Sequence, residues 1–105
     1  MTEFGSEVGQ VLFFDHKKGW GFIKIIKSSH GYEDKDIFTH FSSINCVNEF
    51  KKIHPGEYVS LDVQENPDEK DDSKKLQSKN VSGLFGNRLL IDNEDHIYKV
   101  IKKRN

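Results

Sequence analysis

Lys18-Gly19-Trp20-Gly21-Phe22-Ile23 reads as the start of a β-strand whose two faces differ in kind. Side chains alternate along a strand, so Trp20 and Phe22 share one face while Gly19, Gly21 and Ile23 share the other. Glycine weakens a strand interior and usually marks a bend or a close approach of backbone. Two large aromatics backed by glycines therefore do not describe a packed interior. The pattern returns in Ile37-Phe38-Thr39-His40-Phe41, where Phe38 and His40 share a face and Ile37 and Thr39 take the other. Side by side, the two strands would present Trp20, Phe22, Phe38 and His40 as one flat π-surface.

Upstream, residues 8–14 are rich in β-formers, and Asp15-His16-Lys17-Lys18-Gly19 reads as a turn into the second strand, residues 20–26. Residues 28–36 form a polar loop, 37–41 a third strand, and Ser42-Ser43-Ile44 a single helical turn. His54-Pro55-Gly56 is a turn signal, and residues 58–63 alternate as a half-buried strand. Residues 65–75 are a charged, flexible loop and 78–85 a fifth strand. Five short strands without a long helix predict a small all-β barrel. The division expected is a flexible head at 1–7, the barrel domain at 8–85 and a C-terminal extension at 86–105.

In that extension Gly86-Asn87 lies between apolar runs, a hairpin signal, and residues 88–101 read as a β-hairpin. A helix is the alternative, since Ile97, Val100 and Ile101 would share a helix face, with acids ahead of Lys102, Lys103 and Arg104. Its apolar content predicts order. The extension packs on its own barrel or pairs two copies as a homodimer through exposed edges.

A chain of 105 residues suggests one domain with a modest core. Eight phenylalanines argue against disorder despite 31% charged residues. The formal net charge of −1 argues against a protein that holds phosphates by charge alone. The single cysteine, Cys46, excludes an internal disulfide or a CxxC metal site and fits a reducing cytosol. No apolar run is long enough for a membrane span, and MTEFGSEVGQ has no signal-peptide character. The five histidines show no metal spacing, so no metal or cofactor is expected. Asp15, His16, Asp36 and His40 have no nucleophile, metal motif or phosphate loop beside them, so no enzyme is expected.

Aromatic stacking reconciles the charge with a nucleic-acid partner. Every base has a π-face, and each stacked base contributes about 1–3 kcal/mol whatever the net charge. A few lysines, Lys18, Lys24 and Lys51, then suffice for phosphates. The second function class is a protein-interaction module that uses the aromatic patch or the C-terminal strands.

These motifs resemble the bacterial cold-shock proteins and the cold-shock domain of Y-box proteins, over residues 9–81. Lys18-Gly19-Trp20-Gly21-Phe22-Ile23 looks like the first ribonucleoprotein motif of that family and Ile37-Phe38-Thr39-His40-Phe41 like the second. Val11-Leu12-Phe13-Phe14-Asp15 resembles the family's first strand, with Leu12 where Lys is usual and Phe13 where Trp is common. The resemblance implies a five-stranded antiparallel OB-type barrel that binds single-stranded RNA or DNA in the cytoplasm, as an RNA chaperone or a regulator of gene expression. It further implies stacking by Phe13, Trp20, Phe22, Phe38, His40, Phe41 and Phe50. Lys18 and Lys51 would contact backbone or bases, and Asp36 and Gln77 would offer polar groups to bases. Strict alternation puts Phe13 on the face of Val11, a core candidate, so exposure of Phe13 requires a twist or bulge.

Overall fold

A computed structural model describes residues 4–49 and 51–92. Five strands, β1 (Glu7–Asp15), β2 (Trp20–Lys27), β3 (Asp36–His40), β4 (Tyr58–Glu65) and β5 (Leu76–Gly83), close a barrel in the order β1-β2-β3-β5-β4. All neighbours are antiparallel except β3 and β5, which meet in parallel at Phe38 and Gln77. The expected all-β barrel is therefore present. A 3-10 turn, Phe41–Ser43, follows β3 where a helical turn was read, capped by the His40 ring, which accepts from the Ser42 N–H.

The interior is aliphatic. Every buried apolar residue among those described is Val, Ile or Leu, centred on Val11, Ile23, Ile25, Ile37, Val59, Leu61 and Val81. These are the inward positions of the alternating strands. None of the described phenylalanines is buried.

Glycine lets the barrel close tightly. A Cβ at Gly21 would lie 2.1 Å from the Phe13 carbonyl oxygen and 2.7 Å from Phe14 Cα, so only glycine allows β1 to approach β2 there. Gly19 has φ +81°, ends the β1–β2 turn, and its carbonyl accepts from the Phe41 N–H at 2.8 Å. Asp15 holds the start of that turn by accepting from the Lys17 and Lys18 N–H groups, each at 3.0 Å. The Lys18 N–H in particular keeps the Asp15 carboxyl below its usual range.

The barrel recruits residues that flank it on both sides in the sequence. Glu7, inside the stretch read as head, opens β1 and is 1% exposed. Burial alone would push its carboxyl up, but hydrogen bonds from Ser28 and Ser6 and the His30 ring, 3.1 Å away, outweigh that and hold it below the usual range. After β5, Leu84–Gly86 makes a 3-10 turn with Phe85 at φ 57° and Gly86 at φ 84°, its Phe85 ring against Phe4. The described part of the extension forms no strand. Residues 90–92 are helical, and Leu89 and Ile91 are 0% and 3% exposed, closing the core. Two contacts hold the chain there: the Leu90 N–H donates to Glu57 Oε2 at 2.7 Å, and the Asp92 carboxylate accepts from the Val47 and Asn48 N–H groups. The Gly86-Asn87 hairpin signal is thus a turn onto the barrel's own end, and the remainder of the expected hairpin lies outside the described residues.

Two outcomes are expected. Leu89→Ala should destabilise the protein by about 2–5 kcal/mol in urea unfolding, as buried Leu truncations do. A loss below about 1 kcal/mol would show that the segment after β5 is not part of the core. The second concerns acid. Because the folded carboxyl of Glu7 titrates below its ordinary value of 4.5, its stabilisation is complete above that value and is lost as pH falls through the lower folded one. The stability gap between the parent and Glu7→Gln should therefore narrow as pH falls below 4.5. A gap independent of pH would remove the Glu7 charge from the account.

Candidate nucleic-acid interface

The outward residues of β1, β2 and β3 converge on one aromatic face. Cross-strand register sets Phe13 opposite Phe22, Phe22 opposite Phe38, and Trp20 opposite His40. Phe13 reaches this face through a bulge. Val11 pairs with Ile23 and Phe13 with Phe22, so Leu12 is the extra residue, and Phe13 is turned outward while Val11 stays in the core. That is the irregularity which strict alternation required.

The face is corrugated, not flat. Trp20 and Phe22 meet at 89°, Phe22 and Phe38 at 71°, and Phe13 and Trp20 at 71°, with ring centroids about 6 Å apart. Trp20 and Phe38 lie closer to parallel, at 33°. Edge-to-face contacts are what ring quadrupoles favour when nothing else covers them. Trp20, Phe22 and Phe38 consequently shield one another and are half-buried, while Phe13 and Phe41 are each 44% exposed. His40 packs on Phe41 with centroids 4.4 Å apart. The Ser42 N–H donates to His40 Nδ1, and this fixes the ring and leaves its other nitrogen to donate when neutral.

The polar candidates divide. Lys18 is exposed on the β1–β2 turn, in a hollow shared with Phe41 and Lys51. Lys51 itself donates to the carbonyls of Ile44 and Cys46 at 3.4 Å, so its charge is held against its own loop. Asp36 is bridged at 3.7 Å by Lys24, which leaves neither as an isolated charge. Gln77 stands beside Phe38 and donates from Nε2 to the Lys74 carbonyl at 3.0 Å. Phe50 lies outside the described residues.

Lys74 escaped the sequence reading. The 3-10 turn Asp72–Lys74, within the run expected to be a flexible loop, brings its ammonium to 5.2 Å from the centre of the Phe38 ring. An exposed cation–π contact of this kind contributes about 0.5–1 kcal/mol. Asp71 caps the turn by accepting from Ser73 Oγ at 2.7 Å and the Ser73 N–H at 3.0 Å. The Asp71-Asp72-Ser73 sequence carried that capping signal, but nothing local ties the turn to Phe38 across the barrel.

A sequence model of one family, described as 'Cold-shock' DNA-binding domain, matches residues 7–84. The chain is 34% identical over 76 residues to the major cold shock protein CspA of Bacillus cereus, covering 72% of this chain and 94% of that one. It is 36% identical over 77 residues to the major cold shock protein of Micrococcus luteus, covering 73% and 97%. With the cold shock-like protein CspC of Escherichia coli it shares 40% identity over 57 residues, 54% of this chain and 74% of that one.

Truncating Phe22 separates a surface role from a core role. Phe22→Ala should weaken binding of single-stranded oligonucleotides by about 1–3 kcal/mol, to a similar extent across sequences. It removes ring contacts to Phe13, Trp20 and Phe38, so some stability should be lost. That loss should stay short of the ~3–5 kcal/mol of a core phenylalanine. Undiminished binding with a collapsed melting temperature would place Phe22 in the structure of the barrel alone.

Proposed function

The chain belongs to the cold-shock domain family, and from that premise we propose that it binds single-stranded nucleic acid, RNA above all, by stacking bases on its aromatic face. The observation that carries this is the assembly of Phe13, Trp20, Phe22 and Phe38 on the outside of a barrel whose buried apolar residues, among those described, are all aliphatic. Aromatic side chains are costly to leave in water and are rarely clustered on a surface without a partner. A base inserted among these rings would replace edge contacts with face contacts, and duplex bases, already stacked, could not do so.

In this reading His40 and Phe41 extend the stack, Phe50 continues it from the following loop, and Gln77 and Asp36 offer hydrogen bonds to bases. Lys18 and Lys74 meet phosphates, and Lys51 would have to leave its carbonyl partners to do so. RNA chaperoning follows from the same physics, since a protein that holds unpaired bases favours the melted state of a weak hairpin. A cytoplasmic setting suits the single thiol. Pairing of two copies through the extension would not use Leu89 or Ile91, which already lie in the core of their own barrel.

Titration of Trp20 fluorescence with homopolymeric RNA and DNA tests the reading. Binding should be clear for single strands, absent for duplex, and only weakly dependent on salt. With roughly one to three phosphate contacts, at a slope of about −0.7 each, log K should fall shallowly against log salt. Steep loss of binding with modest salt would mean that charge governs this protein, and no response to any oligonucleotide would favour a protein partner.

A further inference from the structure

The aromatic face has two flanks of different character. Beyond Phe22 lies a hollow rimmed by Lys35, Asp36 and Asp72, so that flank carries two carboxylates. Beyond Phe38 and His40 lies a cleft of about 310 Å³ between β3 and β5 with no carboxylate among the described residues that line it. Small-ligand sites start at about 300 Å³, so the cleft has room for one nucleotide and little more. The carboxylates of the first flank are paired, Asp36 with Lys24 at 3.7 Å and Asp72 with Lys75 at 3.1 Å, so the flanks differ less in net charge than in their neutral polar groups; the second carries Lys79.

The walls of this cleft are unusual in chemistry. One wall is aromatic, Phe38 and His40. Facing it are four carboxamides, Asn45, Gln64, Gln77 and Asn80. The parallel junction between β3 and β5 creates this grouping. Gln64 and Gln77 are cross-strand partners on β4 and β5, and Asn45 follows Ile44, which bridges to Val81. The seam is held by Ser43 and Ser78, whose hydroxyls are 2.9 Å apart, and by the Asn45 amide donating to the Asn80 side-chain oxygen. Asn45 keeps its own oxygen as an acceptor. Gln64 is exposed and makes no side-chain hydrogen bond among the described residues, so its whole donor–acceptor edge is open. Gln77 spends its Nε2 on Lys74 and retains its oxygen.

A carboxamide offers one donor beside one acceptor. That pair complements a base edge which carries an acceptor beside an amino group, as adenine does through N7 and N6. An aromatic wall facing hydrogen-bonding side chains is the arrangement by which splayed-out single-stranded bases are read. We propose that this cleft is a base-reading subsite: a strand stacked on the aromatic face places one nucleotide past His40 into it, where Gln64 pairs with N7 and N6 of adenine and the Asn45 and Gln77 oxygens, as further acceptors, favour its amino group over the carbonyl of uracil. Stacking along the rest of the face stays indifferent to sequence, so selectivity is confined to one position. The inference rests on the stacking reading above and adds to it the one place where the ligand's sequence matters.

The test uses the full chain and an oligouridine of about eight nucleotides, within the ~4–16 that an OB fold covers. A single adenine is moved through it one position at a time, and affinity is read from Trp20 fluorescence. One position should bind about tenfold more tightly than the all-uridine parent, equivalent to about 1.4 kcal/mol. Gln64→Ala, an exposed substitution checked for an unchanged melting temperature, should abolish that gain and leave oligouridine affinity within about twofold. Phe22→Ala should instead lower both affinities together and leave their ratio intact. A flat positional profile in the parent would overturn the subsite while leaving stacking in place. So would a positional gain that survives Gln64→Ala, or a loss in that variant equal for both oligonucleotides. Failure of the parent to bind any of the oligonucleotides would overturn the stacking reading, and the subsite with it.

Discussion

The close approach of β1 to β2 at Gly21 is the constraint on which the molecule depends. With a Cβ position 2.1 Å from the Phe13 carbonyl oxygen, no side chain fits on the inner side of β2 there. The inner face of that strand is therefore filled by Ile23 and Ile25, and its bulk near the turn is carried on the outer face by Trp20 and Phe22. A small barrel has little interior volume, and branched aliphatic side chains fill it at native density more easily than flat rings do. Phe14 and Tyr32 reach the core only as partly buried side chains packed against its edge, and most of the rings of β1 to β3 gather outside. The binding surface is thus tied to the fold: changes at Gly21 would reach both.

The second requirement is that β1 change face halfway along. Val11 must close the core and Phe13 must join the rings opposite Phe22, yet two residues of an ordinary strand would share one side. The bulge at Leu12 supplies the extra residue, and Leu12 itself is 42% exposed. Bulges also sharpen twist and bending, which a closed barrel of five strands needs. A single irregularity therefore serves closure and surface together. The opposite irregularity, between Val8 and Gly9, puts the extra residue on β2 at Ile26, which is also exposed.

What the sequence made legible follows from the range of each interaction. Alternation in β2 and β3 is local, and it separated Ile23, Ile37 and Thr39 from Trp20, Phe22, Phe38 and His40 before any tertiary contact was known. The need for a bulge near Phe13 was legible because two local demands conflicted. The flatness of the aromatic face was misread, since ring tilt depends on side-chain torsions that strand periodicity does not encode. Contacts across the barrel were invisible for the same reason. Lys74 looked like one more charge in a polar run, and only the parallel meeting of β3 and β5 brings it over Phe38. Residues 88–101 read as a hairpin, yet Leu89 and Ile91 enter the core at the start of a helical segment and not from a strand. A pattern of buried and exposed residues specifies which side chains go inside; it does not by itself specify the backbone that carries them there.

Charge follows a similar logic of placement. A net of −1 describes the average of the chain, whereas a ligand meets only the groups near its path. Around the aromatic face Lys24 is spent on Asp36 and Lys51 on its own loop carbonyls, while Lys74 lies against a ring. Those three are engaged by neighbours, whereas Lys18 and Lys79 are exposed basic side chains beside the face. Screening then matters little, because a stacked base is held by contact and desolvation, which salt does not weaken. The same arrangement makes neutral donors and acceptors the discriminating groups at this surface: where full charges are balanced or occupied, the remaining differences between one base and another are felt through amides and hydroxyls, and these are concentrated where β3 meets β5.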